Sequence, residues 1–107
     1  MVTRRFDVFP NPSPRSARSI PYVVVLQSDL LDEMPSQVVA PLIRVSALAN
    51  RPATRLNPRF EIEGTAVCLL TQQIGAVAAS SLTRRVGSLE EHRELVVAAL
   101  DFLFGGI

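Results

Sequence analysis

The sequence has one cysteine, one histidine, one tyrosine, no tryptophan and, among its eleven basic residues, no lysine. Each scarcity excludes something. One cysteine cannot close a disulfide within the chain, and small secreted domains normally carry paired cysteines. A reducing cytoplasm is therefore the expected setting. His92 and Cys68, each alone of its kind, give no pair at metal-ligand spacing, so no metal site is expected. Lone Tyr22 is a poor stacking platform for single-stranded nucleic acid. Formal net charge is +1 and the arginines are scattered from Arg4 to Arg93, without the clustered basic excess of a DNA-binding protein. No apolar run approaches the length of a membrane span. Met1 to Asp7 is basic but has no apolar stretch behind it, so no cleaved leader is expected.

What is present fits one small domain over residues 1–107, with 48% of residues apolar. Val2 to Phe9 alternates loosely and reads as a half-buried first strand. Pro10 to Ser19 holds three prolines, three serines and an asparagine, and reads as a long exposed loop, functional or mobile. Tyr22 to Leu26 is a β-branched run expected as a central strand buried on both faces. Gln27-Ser28-Asp29 follows as a polar strand end, and Leu30-Leu31 falls in a turn bounded by Asp32-Glu33 and Pro35. Gln37 to Val45 resumes as a strand, and Pro41 inside it points to an edge or a bulge. Ser46 to Asn50 suggests one helical turn. Arg59 to Glu63 alternates with Phe60 and Ile62 inward, Gly64-Thr65 turns, and Ala66 to Thr71 returns as a hairpin. Gln72 to Leu82 reads as a short strand after a loop.

The last segment is helical. Ser88 with Glu91 has the capping-box spacing, and Gly105 suits the residue just past the helix. Leu89, Val96, Ala99, Leu100 and Leu103 form an inward stripe. Val97 and Phe104 fall near Asp101 on the opposite side, at least partly exposed. The coarse architecture is mainly β: a curled antiparallel sheet, barrel-like in the SH3 manner, with a carboxyl-terminal helix on it.

No catalytic cluster is visible. His92 lies beside two glutamates and Arg93, a solvated setting. Cys68 sits within an apolar strand and reads as a small buried hydrophobe. Gly105-Gly106 stands at the carboxyl end of a helix, the wrong end for phosphate. No cofactor is implied. The apolar tip Asp101 to Ile107 remains, and apolar surface at a tip marks a contact site.

The order Leu26-Gln27-Ser28-Asp29-Leu30-Leu31-Asp32, Val38-Val39-Ala40-Pro41-Leu42, Leu56-Asn57-Pro58 and Phe104-Gly105-Gly106-Ile107 resembles the CcdB toxins along nearly the whole chain. The first loop is a few residues longer. The resemblance implies a CcdB-type antiparallel barrel with a carboxyl-terminal helix, working as a homodimer. It implies a toxin of a toxin–antitoxin pair that binds the A subunit of DNA gyrase, traps its cleaved-DNA complex and is released by a CcdA-type antitoxin. It implies gyrase contacts at Ser28, Leu30, Leu31 and Asp32 in the turn, and at Asp101, Phe104, Gly105, Gly106 and Ile107 at the helix end. No enzymatic step, no membrane and no nucleic-acid binding without antitoxin are expected. The antitoxin segments would be Pro10 to Ser19 and Ser46 to Arg55.

One position departs from the family pattern. Tryptophan precedes the final glycine–isoleucine pair in the well-known toxin; Gly105 stands there in this chain. Two alternatives stay open. One is a decayed toxin that binds only antitoxin, favoured by Gly105. The other is a ribonuclease toxin of the MazF/Kid type on the same barrel, which would draw on Arg84-Arg85 and His92.

Overall fold

The computed structural model describes residues 3–49 and 53–106. Seven strands form one antiparallel, barrel-like sheet: β1 (Asp7–Pro10), β2 (Tyr22–Val25), β3 (Ser36–Arg44), β4 (Arg59–Ile62), β5 (Thr65–Leu69), β6 (Gly75–Ala78) and β7 (Gly87–Ser88). The order across the sheet is β4-β5-β3-β2-β1-β7, with β6 on the first half of β3. One helix, α1 (Arg93–Gly105), follows. The mainly β architecture with a carboxyl-terminal helix is as the sequence predicts.

Side-chain alternation divides the core between the two faces of the sheet. Val8, Val24 and Leu42 point to the larger cluster, with Phe6, Leu89 and Val96. Phe9, Val23, Val25 and Val39 point the other way, onto Leu82. Both faces of β2 are thus buried, which is why its valines run without a polar break. The helix covers the larger cluster with Val96, while Val97 and Leu100 pack at its margin. Cys68 is fully buried, its thiol set against the Asn57 carbonyl at 3.2 Å, and burial pushes its pKa up.

Pro41 is not at a sheet edge. It lies inside β3, opposite Val23. Leu26 N–H bonds to Val38 O at 2.9 Å, so alternation makes 23–41 a non-hydrogen-bonded pair and turns the Pro41 nitrogen away from β2. On that other side β3 changes partner, from β6 over residues 36–39 to β5 over residues 42–44. The missing donor falls in the gap between two ladders, where it costs least.

The first strand is shorter than the sequence suggests. It begins at Asp7 because Phe6 has φ +74 and breaks the extended run. Ser88 does not cap the helix. It pairs with Asp7 as part of β7, and its hydroxyl accepts from the N–H of Glu90, where a 3-10 turn begins, at 3.1 Å. The α-helix starts only at Arg93, after that turn. At its other end the left-handed residue is Gly106 (φ +71), one place beyond Gly105. The long loop after β1 is ordered by Asn11, whose side-chain amide donates to Ser16 Oγ at 2.9 Å and Ile20 O at 2.8 Å.

The hairpin forms as expected, but its turn lies one residue earlier than Gly64-Thr65: Glu63 (φ +50) and Gly64 (φ +77) make it, and Thr65 already pairs with Ile62 as the first residue of β5. Two successive positive φ values match the twist of the strands they join. Nothing lies within 4 Å of a Cβ added at Gly64, so the cost of a side chain there is conformational. Gly64→Ala is expected to lower stability by about 1 kcal/mol. Urea unfolding should show an earlier midpoint with an unchanged slope.

Candidate functional site

Ser28 to Asp32 forms a 3-10 turn that projects Leu30 into solvent at 93% exposure. Leucine at such exposure cannot hold a turn by packing. Polar groups hold it instead. Ser28 Oγ accepts from Leu30 N–H at 3.2 Å. Gln27 Nε2 donates to Leu31 O at 3.0 Å, and Gln37 Nε2 donates to the same oxygen at 3.3 Å. Gln37 is almost wholly buried, so its amide is a fixed support beneath the turn. Leu31 and Met34, both near half exposed, complete an apolar rim. Sequence reasoning missed Gln27, Gln37 and Met34. Gln37 stands at an inward position of an alternating strand, a buried-polar signal that points to a structural hydrogen bond.

The helix end builds a second apolar surface. Leu100, Asp101, Phe104 and Gly105 line an open hollow of about 430 Å³. Phe104 is 77% exposed and does not fold back beneath the helix. Gly106 closes the helix by donating its N–H to Phe102 O at 3.0 Å. Phe102 itself is half-buried, with the Arg55 guanidinium 4.5 Å above its ring. Asp101 is exposed, as the helical projection requires, and Gly105 and Gly106 are exposed as well. Ile107 lies outside the described residues. The depressions at the turn and at the helix end share no lining residue.

The model of the CcdB protein family matches residues 5–106, nearly the whole chain. The chain belongs to the CcdB family. No curated protein matches it. Membership makes it a toxin of the toxin–antitoxin kind, and CcdB-family toxins are in general not enzymes.

In this CcdB-family chain the residues that a ribonuclease reading would use, Arg84, Arg85 and His92, are all exposed, and two of them have partners in the barrel. His92 places its ring 5.4 Å from Phe60, against the barrel wall. Arg85 Nε donates to Asp7 Oδ1 at 2.9 Å, and Asp7 is buried. Of the expected antitoxin segments, the first loop is braced on the sheet where Arg44 Nε donates to Arg18 O at 2.9 Å. The second contains Arg55 and reaches the helix through Phe102. Residues 50–52 of that segment lie outside the described residues. No helix among the described residues is long and apolar enough to cross a membrane.

Proposed function

We propose that this chain is a gyrase-directed toxin, acting in the cytoplasm by binding rather than by bond chemistry. Its target is the A subunit of DNA gyrase, whose cleaved-DNA complex it traps. A CcdA-type antitoxin neutralises it. The exposed Phe104, which lines an open hollow together with Leu100, carries the reading, because contiguous apolar surface left in water marks an interaction site. Ser28, Leu30, Leu31 and Asp32 add the second contact, and Asp101, Gly105, Gly106 and Ile107 complete the first.

The chain works as a homodimer that presents two copies of the tip. The free side of β6 supports this. Thr71 to Thr83 carries no charged residue and no proline, so Gly75–Ala78 is an edge without the usual guards against pairing. A second copy would cover it. Monomeric behaviour at micromolar concentration in analytical ultracentrifugation would count against the dimer.

The deciding test is a titration of the protein against the dimerisation fragment of the gyrase A subunit, with an Ile107 deletion alongside. Tight binding lost on deletion is the expected outcome. A folded dimer that binds antitoxin but not the fragment would favour the second reading, an antitoxin-binding module, for which Gly105 in the tryptophan position is the specific observation.

A further inference from the structure

Two apolar patches make one binding surface only if their spacing is fixed. Neither patch supplies that fixing itself. A single 3-10 turn at Asp29–Leu31 has no packed face, and all three of its residues are exposed. Gln37 holds the turn to β3, and a second support comes from the segment just before β1. Asp29 Oδ1 accepts from Arg5 N–H at 2.6 Å. Arg5 Nε donates to Leu26 O at 3.0 Å, just past β2 on the way into the same turn. The Arg4–Asp29 ion pair is long, at 4.0 Å, and exposed, so it adds little. The short bond from a peptide N–H to a carboxylate is the strong element.

The same segment reaches the helix. Phe6, next to Arg5, donates its N–H to Val25 O at 2.7 Å and accepts from Leu89 N–H at 2.8 Å. The Arg93 guanidinium, in the first turn of α1, lies 5.6 Å from the Phe6 ring centroid. Asp7 closes the segment on itself, its Oδ2 accepting from Arg4 N–H at 2.9 Å. A continuous path thus runs from Asp29 through Arg5 and Phe6 to Leu89 and Arg93. Each link is a hydrogen bond, a chain neighbour or a ring contact.

We infer that Asp29 is a positioning residue: its carboxylate ties the Leu30–Leu31 turn to the Arg5–Phe6 segment and so sets the turn against the helix end for target binding. This rests on the gyrase reading only for the identity of the target. Asp29 needs no contact with the target itself. Its part is to accept one peptide N–H, which an amide oxygen can also do.

Asp29→Ala and Asp29→Asn test this in the full chain. Two readouts are needed: hydrogen exchange at the Arg5 amide, and affinity for the gyrase dimerisation fragment. Asp29→Ala should speed exchange at Arg5 about tenfold and weaken fragment binding about tenfold, the worth of one good hydrogen bond. Asp29→Asn should restore both to within about threefold of wild type, since it keeps the acceptor and loses only the charge. Binding of Asp29→Ala equal to wild type overturns the inference. Equal loss in both variants also overturns it, because it would mean that the charge meets the target. If the wild type itself fails to bind, the gyrase reading falls, and the exchange measurement still decides: an unchanged Arg5 amide in Asp29→Ala removes the tie.

Discussion

Phe104→Ala is expected to leave the fold intact and to remove most target binding. The phenyl is 77% exposed, so truncating it takes little from the core, and the melting temperature should stay within about 2 °C. Binding should suffer far more. An aromatic anchor desolvated at the centre of an interface is worth about 2–4 kcal/mol, or roughly 30- to 1,000-fold in Kd. Growth arrest on overexpression should vanish with it. Gly105→Trp should act in the opposite direction. Gly105 is helical and its φ is not positive, so its backbone accepts a side chain. A tryptophan there would add an aromatic face at the hollow and tighten fragment binding about tenfold or more. Unchanged binding in both variants would show that the helix end is not the contact surface. A gain from Gly105→Trp without a loss from Phe104→Ala would mean that this chain has a weakened tip, with its remaining affinity in the Leu30 turn.

The tip was legible in the sequence because the side of a helix on which a residue lies follows from its angle alone. Phe104 falls on the Asp101 side of α1 whatever the sheet does. The β4–β5 hairpin was legible for a similar reason, as its alternation and its glycine turn lie within one short segment. The β2 run of valines announced burial on two faces without naming its neighbours. What failed depended on distant partners. Ser88 has the spacing of a helix cap, but Asp7, far back in the chain, takes it into β7, and the helix start moves to Arg93. Pro41 looked like an edge marker because the change of partner along β3 is invisible in β3 itself. The supports of the Leu30 turn were hidden for the same cause. Asp29 and Arg5 are 24 positions apart, and no local pattern joins them. Family resemblance pointed to the residues proposed here as contacts, while the groups that hold them in place emerged only from the fold.

Phe6→Ala is expected to cost the most stability of any substitution considered, and Phe6→Gly to cost no more than Phe6→Ala. The ring is fully buried in the larger cluster, so deleting it should destabilise by about 3–5 kcal/mol. Glycine ordinarily adds about 0.5–1 kcal/mol to such a loss through chain entropy. Here the backbone reverses that ranking. Phe6 sits at φ +74, where a residue with a Cβ pays about 1–2 kcal/mol and glycine pays almost nothing. Its N–H and C=O are both committed, to Val25 and Leu89, so the strained geometry cannot relax without breaking two long-range bonds within the chain. Urea unfolding of the two variants measures the difference directly. Phe6→Gly less stable than Phe6→Ala by the ordinary glycine penalty would mean that the backbone does relax. Phe6→Gly equal or better would show that strain is held there by the fold. The phenyl is then kept at a position that disfavours it because it fills the core while its peptide spans the path from the Leu30 turn to the helix. Both variants should therefore also bind the gyrase fragment less tightly than wild type at temperatures where they remain folded.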